Sequence, residues 1–235
     1  MTSPGATNGS GATEQGARSH LVWDLPVRVF HWALVLLVIS QIVTVSIGGN
    51  LMEYHVLGGY AILALVAFRV VWGVLGTPTA RFVNFLRGPL AVIGYARTLT
   101  RSEPGHHAGH NPLGGWSVVA MLLSLMVQAV SGLFVDDEIM TTGPLWKYVS
   151  DDTASLFNVI HDTNASVLMT LICLHLAAIL FYLIRKKQNL IVPMFSGRKS
   201  VDAGHDESLR PLEGVLRALV ILIICAAGTW LIVSM

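Results

Sequence analysis

The sequence predicts an all-α integral membrane protein: a four-helix transmembrane bundle followed by a fifth, C-terminal transmembrane helix. Three observations carry this. Of 235 residues, 53% are hydrophobic and 12% charged, about half the roughly 25% charge of an ordinary soluble domain. Mean hydropathy is +0.63, and five apolar runs approach the roughly 20 residues a helix needs to cross hydrocarbon. A soluble globular enzyme is excluded. The balance of 15 Lys and Arg against 14 Asp and Glu gives no basic nucleic-acid footprint. Two cysteines, Cys173 and Cys225, both lie inside apolar runs, which excludes a disulfide scaffold or a Cys-based zinc site.

Residues 1–20 are rich in Gly, Ser, Thr and Ala, too poor in large apolar side chains to offset the entropy of ordering, and read as a disordered cytoplasmic tail. No apolar centre with a small-residue cleavage site follows, so the first hydrophobic run is expected to be a retained helix. Residues 21–190 carry four apolar runs, at 29–47, 55–75, 116–135 and 165–184, the last expected to begin near Asn158 because Asp162 and Asn164 suit a headgroup region. A polar cytoplasmic loop is expected over 191–213 and the fifth helix over 214–235. Between the second and third runs, residues 81–99 mix Phe82, Phe85, Leu86, Leu90 and Tyr95 with arginines. This segment is expected to lie along the membrane surface, with Gly88 and Pro89 interrupting any helix. No internal repeat is visible.

Orientation follows from basic residues in alternate loops. The N-terminal tail and the segments 76–115 and 185–214 hold twelve Lys and Arg, and the opposite side holds Lys147 alone. The N-terminus is therefore expected in the cytoplasm and the C-terminus on the periplasmic face of a bacterial inner membrane. The outer loop, read as 136–162, contains Asp136, Asp137, Glu138, Asp151 and Asp152. It suits either a basic partner or simple solvation.

Of nine histidines, His20, His106, His107, His110 and His205 fall in polar segments and read as solvated; His106, His107 and His110 lack the fixed geometry of a metal site. His31, His55, His161 and His175 fall in or at the apolar runs, where an ionisable ring is costly unless something binds it. Alternating topology puts His31 and His175 toward the inner face and His55 and His161 toward the outer one. Fourteen residues separate His161 from His175, nearly four turns and roughly 21 Å along one helix face. Two bis-imidazole pairs at two depths follow, His31 with His175 and His55 with His161, which suits two stacked b-type haems.

The neighbouring residues agree. His55 is followed at i+3 and i+4 by Gly58 and Gly59, and His161 at i+4 by Ala165, keeping the flank of each ring small. Gly59 thus reads as cofactor-binding, although helix contact is an equal use of the pair. Arg28 and Arg69 are placed either to meet the inner haem's propionates or to snorkel to lipid phosphate.

The chain resembles the bacterial cytochrome b561 and nickel-hydrogenase b-type cytochrome family. The carrying residues are Trp23-Asp24-Leu25-Pro26-Val27-Arg28-Val29-Phe30-His31-Trp32, His55-Val56-Leu57-Gly58-Gly59-Tyr60, Phe68-Arg69-Val70-Val71-Trp72-Gly73, and the His161 and His175 pair. The likeness spans residues 21–190. It implies axial ligation of two haems by the four histidines, with Arg69 close to the haem-binding motif. It also implies electron exchange between quinone, handled near the inner haem, and a periplasmic redox partner, either a c-type cytochrome or a hydrogenase or dehydrogenase. The fifth run departs from the compact family members and suits a lipid-facing or partner-docking helix.

Two other functions are weighed against electron transfer. A stand-alone oxidoreductase acting on superoxide at the outer haem would favour a positive funnel, and this loop is acidic. A proton or metal-ion transporter would call for mid-depth acids or broken helices, which the runs lack.

Overall fold

The computed structural model describes residues 19–98, 111–136, 141–200 and 214–235. Most of the expected tail, with His106, His107, His110, His205, Asp137 and Glu138, lies outside the described residues. Five helices are long and apolar enough to cross a membrane: α1 (Leu25–Ile47), α2 (Met52–Leu75), α5 (Pro112–Gly132), α6 (Asp151–Ile184) and α8 (Val215–Val233). Three short helices intervene, α3 (Phe82–Phe85), α4 (Pro89–Thr98) and α7 (Ile191–Ser196), along with a two-stranded antiparallel ribbon of β1 (Ser19–Leu21) and β2 (Arg198–Ser200).

The helix starts follow local chemistry. Asp24 caps α1, accepting from the Val27 N–H at 2.8 Å ahead of Pro26, and Asn111 caps α5 through the Gly114 N–H at 2.7 Å ahead of Pro112. Each cap satisfies an orphan donor, and proline costs nothing in the first turn. Between α1 and α2 the chain turns on Gly48 and Gly49, with φ of 69° and 57°, a region that penalises a Cβ. The break between α3 and α4 falls at residues 86–88, and α4 starts on Pro89, as Gly88-Pro89 predicts.

Helix α6 begins at Asp151, seven residues before the expected Asn158, so half of the predicted outer loop is helical. Ser150 caps it, and Asp151 and Asp152 occupy its first turn, where carboxylates meet the positive end of the helix dipole. Its 34 residues span about 51 Å, well beyond the roughly 30 Å hydrocarbon core.

Helix α2 is central, packing against α1, α5 and α8, while α6 packs along α5. The core contains the fully buried Val66 and Trp72, with Phe30, Phe68, Leu122, Leu125 and Ala218 around them. Among the described residues, α1 and α6 do not pack side by side as neighbouring helices do. They are joined at one end instead. Past α6 the chain folds back as α7 and β2, and the Val22 N–H donates to the Gly197 carbonyl at 2.8 Å. Residues 191–200, read from sequence as the start of a polar loop, therefore form ordered structure against the start of α1.

The two ends of the bundle differ in charge. Arg81, Arg87, Arg97, Arg185, Lys186, Lys187 and Arg198 gather at the end holding α3, α4 and α7, the basic end. Glu53, Asp136, Asp151 and Asp152 lie at the other, acidic end, with Lys147.

Candidate functional site

At the acidic end, His55 near the start of α2 faces His161 on α6 across the gap between the helix pairs. The ring centres are 6.4 Å apart and the planes meet at 75°. Both rings line a cavity of about 420 Å³ that Gly59, Tyr60, Gln128 and Ala165 also line, within the usual range for a cofactor pocket. Each ring is held by one nitrogen. Nδ1 of His55 lies 3.3 Å from the Gln41 carbonyl oxygen and 3.4 Å from Thr44 Oγ1. Nδ1 of His161 lies 3.0 Å from the Gln128 carbonyl oxygen and 3.1 Å from Ser131 Oγ. A carbonyl oxygen only accepts, so Nδ1 carries the proton in both rings and Nε2 keeps its lone pair for another partner.

This is the arrangement metal-bound histidines use, the second nitrogen donating to a backbone carbonyl. Two imidazoles bound through Nε2 to opposite sides of one metal, with bonds of about 2 Å, have ring centres roughly 6.3 Å apart; the observed separation fits. Among the described residues no three or more His, Cys, Asp and Glu side chains cluster. Two opposed imidazoles beside a largely apolar cavity suit an iron whose other ligands come from a macrocycle.

His31 lies in the first turns of α1 and His175 in the later part of α6, both toward the basic end. The His31 ring packs edge-on against Trp32, ring centres 5.0 Å apart, and its Nδ1 is buried without a hydrogen-bond partner. The structure sets His55 and His161 face to face at the acidic end, and puts His31 and His175 toward the opposite end of α1 and α6. Along α6 the two sites are fourteen residues apart, roughly 21 Å.

Other expected site residues separate by role. Arg69 is 3% exposed; its guanidinium lies 4.9 Å over the Phe82 ring, and one terminal amino group, Nη1, is buried without a partner. That orphan fits an anion such as a propionate. Arg28 instead donates to the Phe195 carbonyl, and Trp32, one turn on, donates to the Met194 carbonyl at 3.2 Å and stacks on Phe195. Gly59 faces the cavity and a Cβ there would meet nothing within 4 Å, whereas a Cβ on Gly58 would sit 2.1 Å from the Gln41 side chain. Gly58 therefore serves the α1 and α2 contact, and Gly59 leaves space.

Sequence reasoning missed Asp24's role and the supporting polar residues. Asp24, 3% exposed, accepts from Trp72 Nε1 at 3.0 Å and Thr77 Oγ1 at 2.5 Å, tying the start of α1 to the end of α2. Asn164 on α6 donates to Gln128 Oε1 at 2.7 Å and the Ser124 carbonyl at 2.9 Å on α5. Gln41 and Gln128 stand out inside apolar runs, and that was the available signal, because a polar amide is costly in hydrocarbon.

A sequence model of the family described as prokaryotic cytochrome b561 matches residues 22–197. A protein of Rhizobium leguminosarum bv. viciae, named "Probable Ni/Fe-hydrogenase B-type cytochrome subunit", is 24% identical over 221 aligned residues, covering 77% of this chain and 89% of that relative. No solved structure matches.

Proposed function

The chain belongs to the prokaryotic cytochrome b561 family, and from that premise we propose that it carries electrons between a quinone pool and a periplasmic redox protein through two b-type haems. The family makes it a membrane b-type cytochrome in electron transfer; the two haems, the quinone and the partner are our reading. The observation that carries it is the pair His55 and His161, 6.4 Å apart with both Nδ1 atoms committed to carbonyls. His55 and His161 would hold one haem and His31 and His175 the other, with Arg69 Nη1 toward a propionate of the latter. Haem b supplies, when bound, a one-electron couple of its iron.

The chain's own part is to hold and insulate. Helix α6 fixes the depth difference between the sites, the bundle excludes water, and Gly59 and Ala165 leave room beside the rings. Quinone would exchange at the basic end, placed at the cytoplasm by the excess of Lys and Arg there. The partner would dock at the acidic end. A hydrogenase is the favoured partner because the Rhizobium relative carries that name. Superoxide is disfavoured, since Glu53, Asp151 and Asp152 are exposed at that end and repel an anion.

A reduced-minus-oxidised visible spectrum of the detergent-purified protein, with pyridine haemochrome quantitation, tests this reading. We expect about two low-spin b haems per chain. His31→Ala and His175→Ala should each remove one and the same haem, and His55→Ala and His161→Ala the other. A haem-free folded protein, or a crossed pattern among the four variants, would overturn it.

A further inference from the structure

The two helices that support the acidic-end rings carry the same four-residue device. On α1 it is Gln41-Ile42-Val43-Thr44, and on α5 Gln128-Ala129-Val130-Ser131. In each, the hydroxyl donates to a backbone carbonyl of the preceding turn: Thr44 Oγ1 to Ser40 O at 2.8 Å, with Gln41 O at 3.1 Å, and Ser131 Oγ to Gln128 O at 3.1 Å. In each, the glutamine carbonyl and the hydroxyl oxygens flank Nδ1 of a histidine on the following long helix, His55 on α2 and His161 on α6. Both hydroxyl residues are buried, Thr44 at 6% and Ser131 at 2% exposure. Four residues after each histidine a small residue, Gly59 or Ala165, lines the cavity. The hairpins α1–α2 and α5–α6 are two copies of one ligand-holding unit, too short a likeness to register as a sequence repeat.

The hydrogen-bond logic is directional. Each hydroxyl proton is committed to a helix carbonyl, so its oxygen offers Nδ1 only lone pairs. The carbonyl does the same. Nδ1 is thereby surrounded by acceptors, must keep its proton, and presents Nε2 as the only basic nitrogen. Two acceptors on Nδ1–H also push electron density toward Nε2, making each imidazole a stronger donor to a metal and favouring its oxidised state.

We propose that Thr44 and Ser131 are matched positioning residues that fix the tautomer of His55 and His161 and hold down the reduction potential of the haem between them. This rests on the haem assignment above. The test is a spectroelectrochemical titration of the purified haem-loaded protein and of Thr44→Val, Ser131→Ala, Thr44→Ser and Ser131→Thr. Removing either hydroxyl should shift one couple upward by about 59 mV, a tenfold fall in its oxidised-to-reduced ratio at a fixed potential for one electron. The couple that moves should be the one absent from His161→Ala, and the other should stay in place. The two hydroxyl-retaining variants should titrate as wild type. Unshifted couples in Thr44→Val and Ser131→Ala, or equal movement of both couples, would overturn the proposal. If either hydroxyl-lacking variant loses haem, its hydroxyl-retaining counterpart must restore both haem and potential, and failure to do so overturns it as well. Haem absent from the wild type would instead overturn the assignment beneath.

Discussion

A Cβ added at Gly58 would press on the Gln41 amide, while one at Gly59 would enter open space beside His55. Adjacent glycines thus divide between helix contact and cofactor room. Gly59→Leu should lower haem from about two to about one per chain, read by pyridine haemochrome, without loss of helix content, since leucine favours a helix over glycine by roughly 0.8 kcal/mol. Retention of both haems would show that the cavity beside Gly59 is not where the macrocycle lies. Asp24 gives a second test at this scale. Asp24→Asn keeps a capping oxygen but turns an N–H donor toward donors already present on Trp72 or Thr77. We expect a loss of about 1–3 kcal/mol, read as a lower midpoint of thermal unfolding in detergent. The four intramembrane histidines and the small residues beside them were legible in the sequence because ionisable rings stand out in apolar runs. The division between Gly58 and Gly59, and the acceptors around Nδ1, were not, because they depend on which neighbouring helix faces which side.

Helix α8 packs on α2, burying Ala218 and Thr229 and adding Ile221, Leu222 and Cys225 to the core, on a face apart from the residues that line the cavity. Arg217 at its start lies 5.4 Å over the Trp72 ring. Ending the chain at Ser200 should therefore leave about two haems per chain while lowering the thermal midpoint; loss of haem on truncation would place α8 inside the cofactor-holding unit. All five long helices were readable from hydropathy, since lipid asks for long unbroken apolar stretches. The true start of α6 was not, because Asp151 and Asp152 look like loop residues until Ser150 is seen as a cap. The ordering of α7 and β2 was equally hidden. It depends on Arg28 and Trp32, far away in sequence, reaching the carbonyls of Phe195 and Met194.

Charge asymmetry is a property of the whole molecule. Arg81, Arg87, Arg97, Arg185, Lys186, Lys187 and Arg198 are among the described residues at the basic end, and Lys147 stands at the other. Alkaline phosphatase fused after Met235 should be active and a fusion within residues 99–110 inactive, reporting a periplasmic C-terminus and a cytoplasmic basic end. The reverse pattern would exchange the sides assigned to quinone and partner. The charge asymmetry itself was legible, because counting basic residues needs no contacts. The way the bundle closes was not. Helices α1 and α6 meet through Arg28, Trp32 and the β1–β2 ribbon at one end, while the wall between them elsewhere is open. Synthesis runs from the N-terminus, so the strap formed by residues 191–200 emerges only after all four histidines have been made. The strap thus ties the far end of α6 to the start of α1 late in synthesis and leaves the rest of that wall open along the bundle.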